Sequence, residues 1–242
     1  GERTIVELIR AMEKGLPLKE IKGISFISKG EVIRTAPREL IENLDDIPFP
    51  ARHLLDMRTY TDAWKKNMGV GFSPIISSRG CQFSCRFCSK SIFGNRIRFR
   101  SSQNIIEEMR ELYDEYDVEQ VFFEDDLFTQ NRKRVLDFCD AMERELPGKK
   151  WGAMARVDTV DHETLSRMKQ SGCIELAFGV ESGSQAILEL LKKGITVEQI
   201  KRTFKLANEI GIVAGMFLIV GIPGETDNDM DLTKNLIAEC RP

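Results

Sequence analysis

From about residue 73 the chain alternates short apolar runs with stretches whose apolar positions recur every three to four residues. Residues 74–78, 119–123, 151–155, 173–180 and 212–220 are predicted as strands. The stretches between them are predicted as helices. Ser101 or Ser102 is placed to cap a helix carrying Ile105, Met109, Leu112 and Tyr116 on one face. Val135, Phe138, Met142 and Leu146 share a face of the next. Asp161 opens a helix that ends near Gly172, Ser184 opens another, and Thr196 with Gln199 forms a capping box for a third. Thr226 caps the last. Strands alternating with helices imply an α/β protein with a parallel sheet and right-handed crossovers. Near-continuous apolar runs suit strands covered on both faces. Five βα units fit a doubly wound sheet or an incomplete barrel, and in both the chemistry sits at the C-terminal ends of the strands.

Residues 1–72 read differently. Residues 4–14 are amphipathic with helical spacing, and 24–27 and 31–34 flank the turn Ser28-Lys29-Gly30. Residues 39–50 form a polar linker punctuated by Pro48 and Pro50. The expected organisation is a helix, hairpin and linker over 1–72, followed by a core over 73–242. The chain opens on Gly1 and ends on Arg241-Pro242, so it is expected to be a piece of something longer.

Composition narrows this little: 42% hydrophobic and 30% charged residues are ordinary for a globular protein. A net charge of −3 argues against a general nucleic-acid binder, whose mark is a basic footprint. The longest apolar run, IVAGMFLIVGIP over 212–223, is a core-element length rather than a membrane span.

The candidate chemistry is concentrated in Ser78-Arg-Gly-Cys-Gln-Phe-Ser-Cys-Arg-Phe-Cys88, a C-x3-C-x2-C triplet of Cys81, Cys85 and Cys88. Structural zinc takes four ligands arriving as spaced pairs. Here the other cysteines, Cys139, Cys173 and Cys240, are scattered, and His53 and His162 are not paired with them. A disulfide framework suits short secreted chains, not this one. Thiolates also hold iron–sulfur clusters, and three of them on a four-iron cubane leave one iron open to a substrate or cofactor.

The triplet, with the aromatic Phe87 before its last cysteine, resembles the signature of the radical S-adenosylmethionine (radical SAM) family. The resemblance implies a six-unit partial barrel, of which about five βα units are present, and a [4Fe–4S] cluster on Cys81, Cys85 and Cys88. In that family the open iron chelates SAM, and an electron cleaves it to methionine and a 5′-deoxyadenosyl radical. The leader resembles the segment that joins a cobalamin domain to the barrel in cobalamin-binding members, so cobalamin is implied for the parent protein only.

Four strand ends complete the expectation. Glu124-Asp125-Asp126 stands where the family holds the methionyl ammonium, making Glu124 or Asp125 its contact; the acids also suit the positive end of the following helix. Arg156 is placed to pair with the SAM carboxylate, or with Asp158, Glu124 or Asp125 in a structural ion pair. Glu181 is placed for the ribose hydroxyls, with Ser184 as a helix cap. The turn Gly221-Ile222-Pro-Gly-Glu225 resembles the one against which adenine packs. Arg96-Ile-Arg-Phe-Arg100 reads as a short extended edge, or as a surface for an anionic substrate or electron donor. Phe122, Phe123 and Phe128 read as packing, and Met57, Met68 and Met216 carry no ligand spacing. The expected partners are a small-molecule substrate and a reductant such as flavodoxin or ferredoxin, in the cytoplasm, without nucleic acid. The outcome is expected to be methylation or a ring-forming oxidoreduction. A methylthiolating enzyme would call for a second cluster that the scattered cysteines do not supply, and a non-catalytic iron–sulfur or zinc scaffold would not call for the strand-end acids.

Overall fold

The computed structural model describes residues 1–242, the side chain of Met68 excepted. Contacts divide the chain into two compact units, Gly1–Pro48 and Phe49–Pro242. The first holds α1 (Glu2–Glu13) and an antiparallel hairpin of β1 (Ser25–Ser28) and β2 (Glu31–Arg34), with Ser28 opposite Glu31. Its turn residues Lys29 and Gly30 both take positive φ, as a two-residue hairpin turn with the twist of its strands requires.

The second unit takes in residues 49–72 of the expected linker. It opens with α2 (Met57–Met68), which places Trp64 against Phe72 of β3 (Phe72–Ile75) at 4.7 Å between ring centroids. Then come β4 (Ser78–Arg79), β5 (Arg98–Phe99), α3 (Ser102–Glu115), β6 (Gln120–Phe123), α4 (Arg132–Glu145), β7 (Lys150–Ala155) and α5 (His162–Gln170). The chain continues through β8 (Cys173–Glu181), α6 (Gln185–Leu190), α7 (Val197–Ile210), β9 (Val213–Leu218) and α8 (Asp227–Cys240). The main sheet runs β3-β6-β7-β8-β9 with every neighbour parallel, as the alternation predicts for a partial barrel.

Caps set the helix starts. The side chains of Ser101, Asn131, Asp161, Ser184, Thr196 and Thr226 each accept a backbone N–H from the first turn of the helix they precede. Of the two serines that open α3, it is Ser101 that caps. The first core strand lies earlier than expected, ending at Ile75 instead of 78. Ser77 leaves the ladder because its N–H donates to the Asp125 carboxylate, and Ser78 pairs with β5 instead.

The core lies between the sheet and its helices. Phe123, Phe128, Phe138 and Trp151 are fully buried and in mutual ring contact, edge to face for Phe123 on Phe138 and for Phe138 on Trp151, both at 5.2 Å. Trp151 Nε1 donates to the Ser171 carbonyl at 3.0 Å, so its one polar atom is satisfied. Cys139 and Cys173 are fully buried as small core side chains. Because every strand of the main sheet runs the same way, the segments after β3, β6, β7 and β8 gather at one end.

Candidate active site

The cysteine loop is clasped by a small antiparallel ladder, Ser78 opposite Phe99 and Arg79 opposite Arg98. The predicted extended stretch 96–100 supplies one side of that clasp. Gly80 starts the loop at φ +93, and a Cβ there would collide with the Arg96 carbonyl, so the position admits glycine alone. Both sides of its peptide are held: Gly80 N–H donates to Asp126 Oδ2 at 3.0 Å, and its carbonyl accepts from Gln130 Nε2 at 3.2 Å. Farther on, Arg86 N–H donates to the Leu191 carbonyl at 2.9 Å, and Lys90 Nζ donates to the Phe83 carbonyl. Cys81 and Cys85 are half-buried, Cys88 is exposed, and all three are free thiols. The Cys88 thiol is pushed up, first by partial burial and then by the nearby Cys81, Asp126 and Cys85. The three sulfurs and one carboxylate therefore share a local field. Among the described residues, no three Cys, His, Asp or Glu side chains are gathered closely enough to close on a single ion.

The acids after β6 divide their work. Asp125 is buried and accepts from Ser77 N–H at 2.6 Å, Ser77 Oγ at 2.6 Å and Ser78 Oγ at 2.7 Å. It thus staples the end of β6 to the root of the cysteine loop. Arg134 completes the staple by donating to the Ser77 carbonyl at 3.3 Å and to Ser77 Oγ. Its guanidinium lies over Phe99 and Phe128, and burial lowers its pKa. Glu124 is held by its backbone, N–H to the Ile75 carbonyl at 2.9 Å, while its side chain stays exposed. Its pKa is raised by partial desolvation and then by Asp125.

Arg156, at the end of β7, forks onto Asp158 with Nε to Oδ1 and Nη2 to Oδ2, both at 2.9 Å. Nη2 also donates to the Lys193 carbonyl at 2.8 Å, and Nη1 lies 3.7 Å from Cys85 Sγ. Glu181 closes β8 with positive φ, beside a register shift in its pairing with β9. Its Oε1 accepts from the buried Lys193 Nζ at 2.7 Å. Gly179 makes room for that pair, since a Cβ would sit 2.8 Å from Lys193 Nζ and 2.9 Å from Glu181 Oε1. The same ammonium lies 5.6 Å from the centre of the Phe87 ring. Ile222 is buried against Ile187, Leu191 and Ile219. Its turn is closed by Gly221 N–H on Glu225 Oε2 and Glu225 N–H on the Ile222 carbonyl, both at 2.8 Å.

The segment 191–193 thus joins what the sequence left apart, since it touches the cysteine loop, Phe87, Arg156, Glu181 and the Ile222 cluster. Lys193 is the candidate site residue that sequence reasoning missed. Lys192 and Lys193 are adjacent and alike in sequence, yet one is exposed and the other buried. Gln130 and Arg134 were also missed, because a polar residue on an amphipathic segment carries no sign of its partner.

Five parallel strands with a three-thiol loop, acids and an arginine at their C-terminal ends define a partial-barrel α/β fold with its candidate chemistry gathered at one mouth. The chain belongs to the radical SAM superfamily, whose family model matches residues 75–237. It is 41% identical over 234 residues to an uncharacterized methyltransferase of Pyrococcus horikoshii, covering 96% of this chain and 50% of that protein. It is 30% identical over 249 residues to the anaerobic magnesium-protoporphyrin IX monomethyl ester cyclase of Cereibacter sphaeroides, covering 100% of this chain and 40% of the relative. The chain therefore spans half or less of the length of these relatives. Its fold is shared with the cobalamin-dependent S-adenosylmethionine radical enzyme OxsB, with a TM-score of 0.82 at 22% identity over 97% of this chain and 34% of that one. It is shared as well with the radical S-adenosylmethionine methyltransferase TsrM of Kitasatospora setae, with a TM-score of 0.79 at 19% identity over 100% of this chain and 48% of that one. Among the described residues no helix is long and apolar enough to cross a membrane.

Proposed function

We propose that this chain is the catalytic core of a radical SAM enzyme, with Cys81, Cys85 and Cys88 holding a [4Fe–4S] cluster and the strand-end residues holding S-adenosylmethionine. The observation that carries the reading is the triplet's place: three free thiols on one clasped loop at the C-terminal mouth of a parallel sheet. The donor set fits the group. Thiolates are the ligands of such clusters, and Cys81, Cys85 and Cys88 would supply three of them as free thiols on one loop. When bound, the cluster supplies the electron that cleaves SAM to methionine and a 5′-deoxyadenosyl radical.

The chain's own residues bind and orient. Glu124, whose carboxylate is exposed beside the loop root, takes the methionyl ammonium. Asp125 acts through Ser77 and Ser78, keeping the loop in place. Glu181 takes the ribose hydroxyls once Lys193 releases it, and Lys193 then faces the SAM carboxylate. Arg156, already committed to Asp158, supports that pocket from behind. Phe87 and the turn that carries Ile222 offer the surface for the nucleoside.

Methyl transfer is the leading outcome, because the 41% identical relative is named a methyltransferase. Ring-forming oxidoreduction is the second, on the likeness to the cyclase. Cobalamin belongs to this reading through OxsB and TsrM, as a cofactor of the parent protein. The remaining partners are a small-molecule substrate and a low-potential reductant such as flavodoxin or ferredoxin, in the cytoplasm.

The test is anaerobic EPR of the iron-reconstituted, dithionite-reduced protein with and without SAM. A [4Fe–4S] signal that shifts on adding SAM, and that Cys88→Ala abolishes, is the expected result. Zinc in the metal analysis with no cluster signal would overturn the reading.

A further inference from the structure

We propose that Arg156 is a positioning residue for the cluster: its Nη1 donates a hydrogen bond to the Cys85 sulfur and raises the cluster's reduction potential. The proposal rests on the reading above, in which Cys85 ligates iron.

An arginine offers five N–H donors in one rigid plane. Here Nε and Nη2 are taken by Asp158, and the second N–H of Nη2 by the Lys193 carbonyl. Those three bonds fix the plane and leave Nη1 as the uncommitted arm, and that arm lies 3.7 Å from Cys85 Sγ. Phe83, two residues before Cys85, covers the guanidinium with its ring centroid 3.8 Å away. Arg156 is 5% exposed, so water does not compete for the contact. The guanidinium is held by three separate segments and aimed at one ligand. Cys88 differs, since its sulfur lies 3.9 Å from the Ser89 carbonyl, an acceptor.

Hydrogen bonds to the sulfurs, net charge and solvent exposure set the potential of such a cluster. Reduction adds one electron, delivered by an external low-potential reductant, and Arg156 exchanges no proton. A cation donating to a ligand sulfur stabilises the more negative, reduced state. A charge-assisted hydrogen bond of ordinary strength corresponds to about a tenfold change in the reduction equilibrium.

The measurement is a potentiometric titration read by EPR on the anaerobically reconstituted chain, comparing wild type, Arg156→Lys and Arg156→Gln. Iron and sulfide content and a thermal melt are recorded for each. Reduction of the Arg156→Gln cluster is expected to be about tenfold less favourable, a potential about 59 mV lower. Arg156→Lys, which keeps the charge and loses the fork, is expected to fall between. A fully loaded Arg156→Gln protein at the wild-type potential would overturn this proposal while leaving the proposed function intact. A wild-type protein that holds no cluster would remove both. Loss of the cluster from both variants together with a collapsed melt would make Arg156 a folding strut and would equally overturn the proposal.

Discussion

The aromatic core and the strand-end rim lie two residues apart along the chain, at Phe123 and Asp125, yet they are held together by opposite means. Phe123, inside β6, meets Phe128, Phe138 and Trp151 through ring faces and edges. Asp125, just past its end, is fixed by three hydrogen bonds to two serines. Packing of the first kind is non-directional and scales with area. Pairing of the second kind depends on each partner's position, and a lost partner leaves buried polar atoms unsatisfied. The core accordingly governs whether the fold exists, and the rim governs where its functional groups point.

The contrast is tested most severely at Trp151. Trp151→Ala is expected to cost about 3–5 kcal/mol in urea unfolding, with no selective effect on the loop, because it removes a large buried ring. Asp125→Ala should cost less, about 3 kcal/mol, by stranding the Ser77 and Ser78 donors. Its distinguishing mark is faster alkylation of Cys88 in the folded protein, since the loop root is no longer stapled. A rim that kept wild-type thiol reactivity without Asp125 would break the comparison.

Alkaline stability gives a smaller effect, and it comes from the core. Burial pushes the Cys139 thiol from an ordinary 9.0 to about 11. A folded-state pKa above the unfolded one means the stabilisation is complete below pH 9.0 and is lost as pH rises through about 11. By about pH 10 the loss is expected to be about 1 kcal/mol. Melts across that window should show a shallower loss in Cys139→Ala than in wild type, the remaining slope coming from Cys173, whose thiol burial also pushes up. Glu124→Gln is expected to change stability least, within about 0.5 kcal/mol, while weakening SAM binding in calorimetry. A large destabilisation there would make Glu124 part of the fold instead of the pocket.

What was legible in the sequence follows the same division. The five strands, the helix caps and the buried faces of α3 and α4 repeat a local pattern, and each lies close to where periodicity and capping residues put it. The ends of β3 differed because the decisive partner of Ser77 lies 48 residues away. Cys81, Cys85 and Cys88 were legible as candidates from their spacing alone, and the structure places them on one loop after β4. Glu124, Asp125 and Arg156 were legible as candidates, but their division into an exposed carboxylate, a loop staple and a fork on Asp158 was not. Lys193 had no signal, because its burial depends on the missing Cβ of Gly179 and on a carboxylate from another strand end.

The Lys193–Glu181 pair has a consequence for selectivity. The rim is electrically self-satisfied, with each of the two charges already solvated by the other. A molecule that takes over Glu181 competes with an internal cation instead of with water, so its affinity is a difference between two strong contacts. Such exchange is steep in its demands. A ligand bringing only hydroxyls strands the ammonium, and one bringing only an anion strands the carboxylate. A ligand that carries both can engage both charges at once, so the proposed SAM pocket would favour a whole ligand over its fragments.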